Sequence, residues 1–178
     1  MSRLGFRTGT VADAPALAAF MERNFRFTYG HCSTAENVDA AVLTHYGLAA
    51  QQRQLADADR VNLLVEDGDG ALLGHAQLHF GAAPPAGVPS RPAAEVTRFY
   101  VDHPAHGQGI AQAMLLEVER IARQRGVTTL WLSVWQLQPQ AVRFYEKSGF
   151  VRAGALVFHV GDDPKDDWLM VKEVVPGG

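Results

Sequence analysis

The sequence has a single cysteine, Cys32, so no disulfide can form within the chain. A reducing, cytoplasmic setting is the simple expectation. It also lacks an excess of basic charge: 16 Lys and Arg stand against 19 Asp and Glu, a net charge of -3. With no polybasic run either, neither nucleic acid nor an anionic membrane surface is an expected partner. No apolar run approaches the roughly 20 residues that a membrane helix needs. The first residues, Met-Ser-Arg-Leu-Gly-Phe-Arg, lack the apolar centre of a signal peptide. Internal repeats are absent. No second core follows the proline-rich stretch 81–92, so the 178 residues are expected to form one domain, 1–178. His103-x-x-His106 has metal-like spacing, but no nearby Cys or His completes a ligand set, so no metal is expected.

What is present is the pattern of an ordinary globular protein, 47% hydrophobic and 20% charged. Residues 4–8 read as a first strand. A first helix follows, with Asp13 as N-cap and an end near Arg26, because Leu17, Phe20, Met21 and Phe25 recur at helical spacing. The aromatic run 25–32 reads as irregular. Ser33-x-x-Glu36 reads as a capping box for a second helix, which breaks at Gly47 and resumes over 49–58. Strands are expected over 61–66 and 71–80, joined by the turn Asp67-Gly68-Asp69-Gly70. Ile110, Met114, Val118 and Ile121 line one face of a later helix, which Gly126 stops. A strand over 127–135, a helix from Pro139 to Gly149, and strands over 150–160 and 168–174 complete the chain. The expected order is βααβββαβαββ.

The stretch 95–111 carries the chemistry. Val96 to Val101 is β-branched or aromatic apart from Arg98, which suits a strand. Pro104 ends it, because proline offers no N–H to a ladder. Gly107 and Gly109 then lead into a helix. Strand, glycine turn and helix N-terminus together hold a phosphate, since bare N–H groups and the helix dipole both face the anion. The loop is not a P-loop, because no Gly-Lys-Ser/Thr follows the glycines, and it lacks the third glycine of a dinucleotide fingerprint.

His106-Gly107-Gln108-Gly109-Ile110-Ala111 resembles the pyrophosphate loop of the GCN5-related N-acetyltransferases (GNAT). Trp135-x-x-Gln138-x-x-Ala141-x-x-Phe144-Tyr145-x-x-x-Gly149-Phe150 resembles that superfamily's second signature. Further similarity, in Trp131 to Trp135, Phe144 to Phe150, Phe158 to Asp163 and Asp167 to Met170, runs toward the bacterial spermidine/spermine (PaiA-like) branch. The resemblance implies an α+β fold, with a mixed, mostly antiparallel sheet splayed between strands four and five. It implies acetyl-CoA as cosubstrate, direct transfer to a primary amine of a small molecule, and a polyamine as leading acceptor. A non-catalytic acyl-CoA sensor on the same fold and a protein or peptide amine as acceptor remain alternatives.

Residue by residue, the resemblance implies that the pyrophosphate sits on N–H groups of about Gln108 to Ala111, within the loop His106, Gly107, Gln108, Gly109, Ile110 and Ala111. Phe99, Tyr100 and Val101 would pair with the pantetheine, and the Val101 N–H would stabilise the oxyanion. Tyr145 would protonate the leaving thiolate. Glu95 starts strand four where several relatives carry a base, though a strand-end glutamate in solvent fits equally. His106 and Gln138 depart from the family pattern, which has Arg or Gln at the first position and Asn at the second. Phe25 and Tyr29 fall in a segment that would shape the acceptor pocket. Arg98, read as sharing a face with Val96 and Tyr100, suits a structural ion pair. His75 and His79 share one face of their strand and suit an exposed sheet face or the acceptor cleft. Cys32 reads as a small apolar residue and Asp162, Asp163, Asp166 and Asp167 as a solvated acidic turn. An exposed final strand would offer an edge for a homodimer.

Overall fold

The structure is a computed structural model, and it describes residues 4–175. Seven strands form one sheet in the order β1-β2-β3-β4-β5-β7-β6: β1 (Gly5–Thr8), β2 (Arg60–Glu66), β3 (Leu72–His79), β4 (Ala93–Val101), β5 (Thr129–Trp135), β6 (Val151–Val160) and β7 (Asp163–Glu173). Every pairing is antiparallel except β4 with β5. The helices are α1 (Ala14–Tyr29), α2 (Ala35–Ala41), α3 (Leu48–Ala56), α4 (Ile110–Gln124) and α5 (Pro139–Lys147). Among the described residues, no helix is long and apolar enough to cross a membrane.

The sheet is covered on both faces, by two separate apolar cores. On one side, Ile110, Met114, Leu115, Val118 and Ala122 of α4 pack on Val65, Ala76, Leu78 and Val96, with Val142 and Tyr145 of α5 joining them. On the other, Leu17, Phe20, Met21 and Phe25 of α1 pack with Val38 and Tyr46 against Leu64 and Trp135. Each such large side chain, fully buried, contributes roughly 1.5–3 kcal/mol by leaving water.

Several local expectations need correction. The aromatic run is not irregular: α1 continues to Tyr29, because Phe25 and Tyr29 share its buried face. Thr34, not Ser33, caps α2, accepting from the Asn37 N–H at 3.2 Å. Ser33 instead donates its hydroxyl to Asp163 at 2.6 Å. Asp13 makes no cap to α1, because Arg7 and the Thr10 N–H occupy its carboxylate. Between α2 and α3, Val42–Tyr46 widens to a π turn closed by Gly47 N–H on the Val42 carbonyl at 2.7 Å. The final strand is internal, flanked by β5 and β6, so it offers no edge; β6 lies at that end of the sheet instead.

The feature that makes the site is a split. β4 pairs with β5 only over Ala93–Glu95 with Thr129–Trp131. Beyond that point β4 follows β3, and β5 follows β7 as far as Trp135 opposite Asp167. A bulge sits where they part. Gln77 pairs with Arg98 and Leu78 with Val96, which leaves Thr97 as the extra residue. One extra residue reverses the facing of all that follows it. Arg98 therefore lies on the same sheet face as Glu95 and Tyr100, opposite to Val96.

Candidate active site

Between the parted strands lies a cleft of about 920 Å³, bounded by β4, β5, α1, the start of α4 and α5. Its β4 wall presents free backbone groups. The Asp102 N–H donates to the Leu73 carbonyl at 2.8 Å, and Val101, Tyr100 and Phe99 stand opposite Gly74, His75 and Ala76. Antiparallel pairs alternate between bonded and non-bonded. Tyr100 is thus the bonded partner of His75, while the N–H groups of Phe99 and Val101 point away from β3, into the split.

At the outer end of this wall the chain turns through Gly107 and Gly109, with φ of +79° and +77°. An added Cβ would meet nothing within 4 Å at either residue, so it is the left-handed backbone, not space, that requires glycine. The first helical bond of α4 runs from Ala113 N–H to the Gly109 carbonyl. The N–H groups of Ile110, Ala111 and Gln112 are left without helical partners, facing the open end of the cleft. That cradle suits a pyrophosphate. His106 points back and donates from Nε2 to the Val101 carbonyl at 2.8 Å, tying the loop to β4. Gln138 lies on the opposite lip at the start of α5, with no side-chain cap.

Tyr145 reaches the cleft from α5. It is 7% exposed, and its ring packs on Phe99, Phe144 and Phe150 at centroid distances of 5.3–5.9 Å. Burial alone pushes its phenol well above the usual range, so it stays protonated at neutral pH.

The face of the cleft turned toward α1 is aromatic and carries two charges. Tyr29 packs on Trp135 and Phe158 at 5.6 and 5.9 Å. Tyr46, delivered by the π turn, lies beneath Arg98, whose Cζ is 4.7 Å from the ring centroid. Arg98 forms no ion pair with a carboxylate among the described residues. Its Nη1 donates to the Thr97 carbonyl at 2.9 Å, and its Nε is buried without a partner. Asp167 is 3% exposed, and its Oδ1 is also without a partner. Burial pushes its carboxyl up to about 6, while the nearby Ser133 hydroxyl pulls it partly back.

The cleft thus brings together Phe99, Tyr100, Val101, His106, Gly107, Gly109, Ile110, Ala111, Gln138, Tyr145 and Tyr29. Gln108, Glu95 and Phe25 do not line it. Phe25 is fully buried beneath Tyr29 and Tyr46. Glu95 lies where β4 and β5 are still paired, with His79 Nδ1 at 4.0 Å; burial raises its carboxyl, and Arg98 and Arg60 oppose the rise. His75 belongs to neither an exposed face nor the cleft. It is 0% exposed under α1, donates from Nε2 to Asn62 Oδ1 at 3.1 Å, and is held neutral by burial at a pKa of about 3. Asp167, Ser133 and Tyr46 are the residues that sequence reasoning missed. For Asp167 the signal was alternation: β7 begins at Asp163, five residues before the expected Trp168, which places Asp167 in phase with the buried Leu169.

Residues 18–150 match the family model described as the acetyltransferase (GNAT) family. An uncharacterized N-acetyltransferase from Mycobacterium tuberculosis is 30% identical over 165 residues, covering 93% of this chain and all of the relative. Among solved structures, the PaiA N-acetyltransferase from Thermoplasma acidophilum in complex with coenzyme A superposes with a TM-score of 0.78 at 19% identity, covering 96% of this chain and 99% of the other. A spermidine N-acetyltransferase SpeG chimera from Vibrio cholerae and hSSAT gives 0.69 at 20% identity, over 97% and 96% of the chains. At those identities the two structures speak for the fold alone.

Proposed function

Because the chain belongs to the acetyltransferase (GNAT) family, and so is an acetyl-CoA-dependent N-acetyltransferase, we propose that it passes the acetyl group directly to the primary amine of a small molecule bound in the β4–β5 split. The observation that carries this reading is convergence. Free backbone donors of β4, the buried phenol of Tyr145 and the buried carboxylate of Asp167 all face one cleft.

The glycine loop and the first N–H groups of α4 hold the pyrophosphate, and His106 braces that loop against β4. Phe99 to Val101 take the pantetheine as an added strand, so the thioester lies along the free N–H groups. The Val101 N–H then stabilises negative charge on the carbonyl oxygen as the amine attacks; a fixed donor of this kind needs no reorganisation during the reaction. Tyr145 supplies the proton that the departing thiolate needs. Its raised pKa suits a donor rather than a base, and the same burial raises the proton affinity of the thiolate. Glu95, off the cleft, would reach the amine only through intervening water. Asp167 is the carboxylate inside the cleft. A polyamine, the acceptor that the sequence resemblance favours, would set one ammonium on Asp167 between the rings of Tyr29, Trp135 and Phe158.

The test is acetyl-CoA consumption, read as free thiol, against polyamines, amino acids, aminoglycosides and peptide N-termini. Tyr145→Phe is expected to lower kcat by about 100-fold or more with any active acceptor. Acetyl-CoA affinity by calorimetry should stay unchanged. Wild-type turnover in the variant would remove Tyr145 from the mechanism.

A further inference from the structure

The acceptor end of the cleft holds two side chains of opposite charge, and neither is neutralised by another of the described residues. We propose that the acceptor carries an amine and a carboxylate on one small framework, with Asp167 taking the amine and Arg98 taking the carboxylate. This rests on the acetyl-transfer reading above and narrows its acceptor, replacing the bare polyamine with an amino-acid-like molecule.

Among the described residues, Asp167 has no cation of its own. Lys165, on the same face of β7, is held by Asp163 at 2.7 Å and by the Cys32 carbonyl at 2.9 Å. A carboxylate 3% exposed with an unpaired Oδ1 carries a desolvation cost that an arriving ammonium relieves. Arg98 is equally unmatched. The Thr97 bulge turns it away from the α4 core and onto the acceptor face, where it lies over Tyr46 with its Nε unpaired. Its planar fork fits a carboxylate better than any other side chain does. Arg98, Tyr29 and Asp167 all line the one cleft. The two charges therefore flank one aromatic-walled space, and the rings of Tyr29, Trp135 and Phe158 leave an apolar surface for the body of the ligand. A polyamine would instead place further positive charge beside Arg98 with no anion to balance it.

In the transfer, the amine nitrogen forms the new C–N bond as the thioester C–S bond breaks. The ammonium first gives one proton to Asp167, which frees the lone pair for attack. Tyr145 gives its proton to the thiolate, and the second proton shed by the nitrogen restores the Tyr145 phenol through solvent, so one proton is left on Asp167 for release and the step balances without a further reactant.

The experiment compares acceptors that differ only in the carboxylate: phenylalanine with phenethylamine, leucine with isoamylamine, lysine with 1,5-diaminopentane. For at least one pair the acid is expected to exceed the amine by tenfold or more in kcat/KM, and Arg98→Gln should bring that ratio toward one through a rise in KM. Arg98→Lys, which keeps the charge, should restore part of the preference. Unchanged acetyl-CoA affinity in both variants would show that the cleft is intact. Faster turnover of the amines, or a preference for the acids that survives Arg98→Gln, overturns the proposal while leaving acetyl transfer standing. If no compound releases thiol, calorimetry on the enzyme loaded with coenzyme A decides. Tighter binding of the acids sustains the two-charge site and counts against transfer; equal binding, or none, overturns the site.

Discussion

Replacing Asp167 with asparagine should make the unliganded protein more stable and the enzyme worse. The carboxyl rises from its ordinary 3.8 to about 6 on folding, chiefly because burial penalises the charge. A raised pKa in the folded state means that the native protein holds this proton more tightly than the unfolded chain does. The associated stability is present in full below about pH 4 and is lost as the pH climbs through about 6. At about 1.4 kcal/mol per unit of pKa, the loss above pH 7 comes to about 3 kcal/mol. The asparagine amide keeps the shape, removes the charge and cannot titrate, so Asp167→Asn should recover about 2–3 kcal/mol at pH 8 and only about 1 kcal/mol at pH 4.5. For a domain of this size that corresponds to a Tm higher by roughly 5–10 °C at pH 8. Urea unfolding of both proteins at the two pH values reads the difference directly. Equal stability at pH 8, or a variant that gains as much at pH 4.5, would refute the claim that Asp167 is a charge held at a cost. The same variant should lose acceptor turnover, which would tie the strain in the cleft to its use.

Two further outcomes follow from the same geometry. His75 is held neutral by burial, with a folded pKa of about 3 against an ordinary 6.5, so its contribution is present above about pH 6.5 and lost as the pH falls toward 3. His75→Gln should shrink the loss of unfolding free energy between pH 7.5 and pH 5 by about 2 kcal/mol, and an unchanged pH dependence would show that His75 does not titrate on unfolding. Gly109→Ala forces a side chain into φ of +77° at the mouth of α4 with nothing nearby to clash, so about 1–2 kcal/mol of stability and a several-fold weaker acetyl-CoA affinity should be lost together. Intact affinity by calorimetry would take the loop out of cofactor binding.

The parts of the molecule legible in the sequence were those whose signal is local. The turn at Asp67 to Gly70 holds as expected, with Asp67 Oδ1 accepting the Asp69 and Ala71 N–H groups at 2.9 Å. So do the buried Ile110, Met114 and Val118 of α4 and the glycine loop before it. What was not legible depends on partners far away in the chain. His75, Gln77 and Asn62 look like a polar, solvent-facing row on β2 and β3, yet α1 and α3 cover them. They survive burial by bonding to one another, through His75 to Asn62 at 3.1 Å and Gln77 to Asn62 at 2.8 Å, with Arg60 and Gln54 completing the set around Gln77. No periodicity distinguishes a mutually satisfied polar layer from a wet one. Asp167 was hidden differently: Pro164 and four aspartates make 162–167 read as a turn, whereas pairing with β6 already runs from Asp163.

The bulge at Thr97 was equally invisible and has the widest consequence. Strict alternation from Val96 would turn Arg98 toward α4 and Phe99 toward α1. Arg98 would then sit in an apolar core among Met114 and Val118, where an unpaired guanidinium is prohibitively costly. The inserted residue removes that conflict, and it does so at the position where β4 leaves β5. One irregularity therefore settles three features together. It stands where the split starts, it orients the N–H groups of Phe99 and Val101 into it, and it moves the cation from the α4 side of the sheet to the side that faces α1. A bulge also bends its strand and sharpens the local twist, which is what two strands that begin paired and end apart require. The charge that Arg98 turns to the cleft and the opening of the cleft itself thus meet at a single extra residue.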